Sequence, residues 1–193
     1  MRNNLAHKIT FSKPPLRLFT DPKIPQALAW DRRDMTRRML FVLSLICERP
    51  VSVHIEFVDE LRMGALNWQF RAQDKPTDVL SFPPHHGFES EQSGVPRGAK
   101  SLSNLGELAI CVEVCSLQSK RHRCALAHEV ERMMVHGLVH LKGFDHERSQ
   151  AALAVMTTLE KGIRSQLLKQ FGEPDFCREV SRRKTVPKPG GRR

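Results

Sequence analysis

The sequence RCALAHEVERMMVHGLVHLKGFDH, residues 123–146, combines the clearest helical pattern of the chain with a close group of histidines. Its apolar side chains recur every three or four residues, which is the spacing that aligns one face of an α-helix. These residues are Leu126, Val130, Met133, Met134, Gly137, Leu138 and Leu141. Gly143 then provides the left-handed conformation that commonly ends a helix. The pattern predicts a helix over residues 123–141 with one face in the core.

Two histidines lie on this predicted helix and a third lies just beyond it. His136 and His140 are four residues apart, so their imidazoles should stack about one turn apart at the edge of the apolar face. Because Gly143 lets the chain reverse sharply, we expect His146 to return toward the first two rings. Three neutral imidazoles with one open position are typical of catalytic zinc sites. We therefore predict one Zn²⁺ per chain, with local hydrogen bonding by three ordinary histidines as the alternative.

The rest of the chain mixes strand and helix patterns without strict alternation. Alternating apolar and polar residues over 51–57 are typical of a half-buried strand. Further strands are predicted at residues 7–12, 78–82 and 107–111, and helices at residues 31–48, 60–71 and 148–170. We expect an α+β fold: a single compact domain with a small mixed sheet of about four strands flanked by helices. The helix that carries the predicted zinc ligands lies near the C-terminal half of the chain.

Length and composition limit the class of protein. A chain of 193 residues that is 40% apolar has enough material for one globular core. Five scattered cysteines without a CxxC pair indicate thiols in a reducing compartment. The longest apolar stretch, residues 39–47, is short of the roughly 20 residues that a membrane span requires. We expect a cytoplasmic protein that does not contact a membrane.

The net charge of +10 is concentrated at the two ends of the chain. Residues 1–20 contain four basic and no acidic residues, and residues 182–193 contain six basic and no acidic residues. We expect residues 1–172 to form the single domain and residues 173–193 to be a disordered basic tail. Such a tail either binds a polyanion by releasing counterions from its phosphates or remains a solvated end that aids solubility.

The histidine spacing is also that of metzincin-type zinc proteases, which have the motif HExxHxxGxxH. Here Gly137 occupies the position of the glutamate that serves as general base in peptide hydrolysis. Because glycine has no side chain to accept a proton, the substitution disfavours a protease. A metzincin-like metalloprotease nevertheless stays open as an alternative function.

Arg71 is a candidate for binding a phosphodiester substrate. It ends the segment NWQFR (67–71) and precedes the turn DKPTD (74–78). A guanidinium is always charged, and its rigid fork of donors matches the oxygens of a phosphate. The alternative for Arg71 is a surface ion pair with Asp74 or Asp78.

Four segments together resemble the YbeY family of bacterial endoribonucleases. They are NWQFR (67–71), DKPTDVLSFP (74–83), LGELAIC (105–111) and HGLVHLKGFDH (136–146). The resemblance implies a metal-dependent, single-strand-specific endoribonuclease that acts in maturation of the 3′ end of small-subunit ribosomal RNA and in ribosome quality control. It assigns the zinc-ligand role to His136, His140 and His146, and a required role in cleavage to Arg71.

The resemblance also implies partners. These are ribosomal RNA and the small ribosomal subunit or its assembly factors, with no small-molecule cofactor. A second alternative is therefore a ribosome-assembly factor that does not cleave RNA and in which zinc is purely structural.

Overall fold

The computed structural model describes residues 16–20, 28–84, 102–145 and 149–179. Its strands are β1 (Leu16–Thr20), β2 (Leu28–Trp30), β3 (Val51–Val58), β4 (Val79–Phe82), β5 (Ser103–Cys111) and β6 (Cys177–Glu179). Its helices are α1 (Arg32–Ile46), α2 (Glu60–Arg71), α3 (Val112–His122), α4 (Leu126–Leu141) and α5 (Gln150–Phe171). The predicted helices over 31–48, 60–71, 123–141 and 148–170 are confirmed as α1, α2, α4 and α5.

Four strands form one mixed sheet in the order β1-β3-β5-β4. β1 pairs with β3 and β3 with β5 in parallel, whereas β4 pairs with β5 in the antiparallel direction and forms an edge. The predicted α+β class and the small mixed sheet are thus confirmed. A separate ribbon of two strands joins β2 to β6.

Helices cover both faces of the sheet. Along β5, Leu108 and Ile110 contribute to the larger apolar cluster, which also contains residues of α1, α4 and α5. Ala109 and Cys111 alternate with them and face the smaller cluster, to which α2 contributes. Since side chains alternate across a strand, α2 and α4 lie on opposite faces of the sheet. Both helices nevertheless approach the edge formed by β4.

Two features of the described residues were not predicted, and one predicted strand is not described. Helix α3 was not predicted, because residues 112–122 are rich in polar side chains and only part of one face is buried. The predicted strand over residues 7–12 lies outside the described residues. Ordered structure extends past residue 172, the expected end of the domain: Phe176 and Cys177 are buried, and β6 pairs with β2. Residues 180–193 of the predicted tail are not described.

Two general properties of the chain can be read from the described residues. None of the helices among them combines the length and the apolar character needed to cross a bilayer. The five cysteines, which all lie within this part of the chain, form no disulfide bond.

Gly106 marks an irregularity where β5 pairs with β3. Its backbone φ is +128°, and a Cβ atom placed there would lie 2.4 Å from the carbonyl oxygen of Phe82. Because the conformation is strained for other residues and the neighbour is backbone, we expect Gly106→Ala to lower the free energy of unfolding by about 2 kcal/mol. Urea denaturation measures this change.

The matched control is Gly162→Ala in α5. Nothing lies within 4 Å of a Cβ built at Gly162. Because alanine favours a helix over glycine, this variant should gain about 0.5–1 kcal/mol. A Gly106→Ala protein as stable as the parent would show that the sheet tolerates a side chain at this position.

Candidate active site

His136 and His140 form the centre of the site on α4. Their ring centroids are 4.6 Å apart, and the ring planes meet at 82°. Both residues are partly exposed, whereas Gly137, Leu138 and Val139 between them are buried. The two rings therefore lie edge to face, one turn apart, at the boundary between core and solvent, where their spacing predicts them.

A carboxylate from another helix orients His136. The Nδ1 atom of His136 lies 2.8 Å from Oε1 of Glu160 on α5. Because an ionised carboxylate only accepts hydrogen bonds, Nδ1 carries the hydrogen and the lone pair of the ring is on Nε2. Histidines that bind metals are commonly held by such a carboxylate, which sets the tautomer and the ring orientation. The pair His136 and Glu160 thus fits a metal-ligating imidazole.

The turn after α4 has the predicted form. The helix ends at Leu141, and Gly143 has φ +91°. The amide of Gly143 donates to the carbonyl of His140 at 2.8 Å, and the amide of Phe144 donates to that of Val139. The left-handed glycine predicted for this turn is confirmed.

The predicted third ligand, His146, lies outside the described residues. Within residues 16–20, 28–84, 102–145 and 149–179, no group of three or more His, Cys, Asp or Glu side chains is arranged to hold a metal ion. The donor chemistry of the described part is a pair of adjacent imidazoles, one of them oriented by a carboxylate. A set of three ligands thus depends on His146 and stays a prediction.

Arg71 and the two histidines line one cavity of about 550 Å³. Arg71 is the last residue of α2, and residues 72–78 carry the chain from there to the edge strand β4. Val79 and Ser81 of that strand line the same cavity. The loop and the strand edge thus bring a guanidinium into the same cavity as the imidazoles of α4, although the two helices cover opposite faces of the sheet.

The alternative role of Arg71 as a surface ion-pair partner is not observed. Arg71 is exposed, and in the described part of the chain it makes no ion pair with Asp74 or Asp78. Asp78 is instead held by Gln118 at 2.9 Å and by the backbone amide of Val79. Burial would raise the pKa of Asp78, but these hydrogen bonds outweigh burial and lower it. The carboxylate therefore stays charged within the same cavity wall.

Gly137 has a packing role that its motif does not reveal. A Cβ atom at this position would lie 2.7 Å from Cδ2 of Leu108 and 3.3 Å from Cγ2 of Val79. Any side chain at residue 137 would therefore displace the side chains of Leu108 and Val79. A glutamate there would point at the apolar core rather than toward the cavity.

The structure adds residues to the site that the sequence did not indicate. Glu160 lies 24 positions from His136 in the sequence. Neither its helix nor its spacing sets it apart from the other acidic residues of the chain as a partner for a histidine. The connection of Asp78 to α3 through Gln118 was equally hidden, because α3 was not predicted. Asp145, the residue before His146, also lines the cavity.

The comparison with known proteins shows the family of this chain. The family model described as "Endoribonuclease YbeY" matches residues 29–168. This chain belongs to the YbeY family. The family is one of endoribonucleases, a class of hydrolases, and the matched range contains Arg71, His136, His140 and His146.

Individual YbeY relatives show the extent of the similarity. The protein named Endoribonuclease YbeY of Novosphingobium aromaticivorans is 30% identical over 154 residues, which cover 78% of this chain and 90% of that protein. The one of Colwellia psychrerythraea is 40% identical over 121 residues, which cover 60% of this chain and 72% of that protein. The solution structure of TM1509 from Thermotoga maritima aligns at a TM-score of 0.49 and 20% identity, covering 83% of this chain and 96% of that one.

Proposed function

We propose that this YbeY protein is a metal-dependent, single-strand-specific endoribonuclease that matures the 3′ end of small-subunit ribosomal RNA and takes part in ribosome quality control. Its substrate and partners would then be ribosomal RNA and the small subunit or its assembly factors, in the cytoplasm. The observation that carries the proposal is the cavity shared by Arg71, His136 and His140.

His136, His140 and His146 would hold the metal, which we propose to be one Zn²⁺ per chain. A divalent ion at this position would supply Lewis-acid chemistry toward a phosphoryl oxygen. Glu160 fixes the orientation of the His136 ring by accepting the hydrogen bond of Nδ1. The residues of the chain thus prepare the binding position before any ion enters.

Arg71 would bind the scissile phosphate within the same cavity. Its guanidinium has no competing ion pair with the nearby Asp74 or Asp78 in the described part of the chain, so its donors can turn to a substrate. Negative charge increases on the phosphoryl oxygens in the transition state of phosphodiester cleavage, and a fixed cation favours that state over the ground state.

The packing of Gly137 argues against the metzincin alternative. A protease of that type needs a carboxylate directly after the first histidine. Here that position faces Leu108 and Val79 of the sheet, whose side chains would have to shift to admit a glutamate. A carboxylate at this position would point into the apolar core rather than toward the cavity.

The experiment that tests the proposal is an RNA cleavage assay with the full chain. We expect cleavage of single-stranded RNA but not of a duplex, loss of activity with a chelator, and recovery when Zn²⁺ is added back. Analysis of the product ends then identifies the nucleophile, since attack by the 2′-hydroxyl leaves a 2′,3′-cyclic phosphate. Activity that persists without metal would reject metal dependence, and binding to ribosomal particles without cleavage would favour the assembly-factor alternative.

Glu160→Gln should weaken zinc binding without unfolding the protein. Because the neutral amide accepts a weaker hydrogen bond from Nδ1, it holds the His136 ring less firmly, and we expect the affinity for Zn²⁺ to fall about 10- to 100-fold. Competition with a coloured chelator measures the change. Glu173→Gln is the matched control, because that carboxylate is exposed and pairs with His128 instead. Equal zinc affinity in the parent and Glu160→Gln would contradict the role of Glu160.

A further inference from the structure

A second cavity of about 600 Å³ lies among α3, α4 and α5, outside the site described above. Arg132 lines it and is one helical turn before His136 on α4, about 6 Å along the helix axis. A chain of hydrogen bonds also joins the two cavities. Gln118 donates to Asp78 in the first cavity and accepts from Arg132 in the second.

Glu129, a buried carboxylate of the second cavity, is already paired. Its oxygens contact Arg132 and lie 3.1 Å from Nδ1 of His122. Burial by itself would raise the pKa of Glu129, but the hydrogen bonds from Arg132 and His122 outweigh burial and lower it. The negative charge of Glu129 is thus balanced within the protein.

The two other carboxylates of this cavity are paired as well. Oε2 of Glu131 lies 2.9 Å from Nη1 of the buried Arg38. Oε2 of Glu173 lies 2.7 Å from Nε2 of His128. Among the described residues, each acidic group that lines the cavity already has a hydrogen-bonding partner other than Lys161 and Arg164.

Two cations of α5 in the second cavity have no carboxylate partner in the part of the chain that the structure describes. Within the described residues, Lys161 and Arg164 make no ion pair. Among these described residues, the Nε atom of Arg164 is buried and has no acceptor for its hydrogen. Because a buried donor without an acceptor is unfavourable, a small movement of this side chain toward an anionic oxygen in the cavity would be favoured.

We propose that the second cavity binds a backbone phosphate of the single-stranded RNA, next to the phosphate held in the first cavity. This inference rests on the proposed function. Lys161 and Arg164 supply the positive charge and the hydrogen-bond donors. Arg132 and His136, one turn apart on α4, line the second and the first cavity respectively. The contact is to the phosphate backbone, so it adds affinity for RNA of any sequence.

The test compares the parent with the Lys161→Gln, Arg164→Gln double variant. The probe is a fluorescein-labelled single-stranded RNA of about 12 nucleotides. The titration is done at low temperature, and a denaturing gel afterwards shows whether the RNA is still intact. We expect binding about tenfold weaker in the double variant. The slope of log K against log salt should be less steep by about 0.7 for each phosphate that the protein no longer neutralises. Cleavage of a dinucleotide, too short to reach the second cavity, should be unchanged.

Lys169→Gln is the matched control, because Lys169 is an exposed cation of the same helix that does not line the cavity. Circular dichroism confirms that all variants are folded. Equal weakening by Lys169→Gln, or an unchanged salt slope in the double variant, would overturn the inference.

Inorganic phosphate serves as a second probe. If it binds the parent but not the double variant, while RNA binding is the same in both, the cavity takes a free anion and the inference is wrong. The outcomes for the proposed function are separate. A parent that cleaves RNA with metal, beside a double variant that binds RNA normally, removes the second site alone. A parent that never cleaves RNA, but binds it through Lys161 and Arg164, removes the cleavage function alone.

Discussion

Replacing Arg71 with alanine should lower the rate of RNA cleavage by a factor of about 100 or more. The guanidinium is a cation that lines the same cavity as His136 and His140, and within the described residues no other lysine or arginine lines that cavity. Its loss leaves the developing charge on the phosphate without a protein cation. Because Arg71 is exposed at the end of α2, the stability of the fold should change little.

The cleavage rate is measured under single-turnover conditions together with the bound metal. Arg62→Ala is the matched control: it removes an arginine from the same helix, but one that pairs with Glu56 and does not line the cavity. It should cleave RNA at the parental rate. Arg71→Lys keeps the charge without the fork of donors and should fall between parent and alanine. An Arg71→Ala protein that binds metal and cleaves normally would eliminate the phosphate-binding role.

Arg38→Ala should cause the largest loss of stability, about 3–5 kcal/mol in the free energy of unfolding. The side chain of Arg38 is almost fully buried between Asp34 and Glu131, at 2.7 Å and 2.9 Å. Its Nη2 atom also donates to the carbonyls of residues 171–173, at the end of α5. Alanine would leave Glu131 buried without its counter-charge and these carbonyls without their donor.

Its neighbour Arg37 is the matched control. Arg37 also pairs with Asp34, but its side chain is 68% exposed. Because exposed ion pairs contribute little, Arg37→Ala should cost less than about 1 kcal/mol. Urea denaturation of both variants measures the difference. Equal losses in the two proteins would show that burial of the Arg38 cluster adds nothing to stability.

Local patterns in the sequence were sufficient for the elements that carry the site. The helical spacing of apolar residues and Gly143 predicted where α4 ends, because both depend on residues within a few positions of each other. The same holds for the proximity of His136 and His140, because residues four apart on any helix are neighbours on its surface. The end of α2 at Arg71 was also predicted, and the four family segments pointed to the endoribonucleases.

The contacts between distant segments were decided by the tertiary structure. Glu160 contacts His136 because α5 packs beside α4. Arg71 lines the same cavity as the histidines because residues 72–78 carry the chain around the edge of the sheet. Gly137 looked like a missing catalytic base, yet its place against Leu108 makes it a packing residue. Spacing along the chain reports on neighbours within a few turns. Side chains brought together from separate helices and strands depend on how those elements pack, and no local pattern encodes that arrangement.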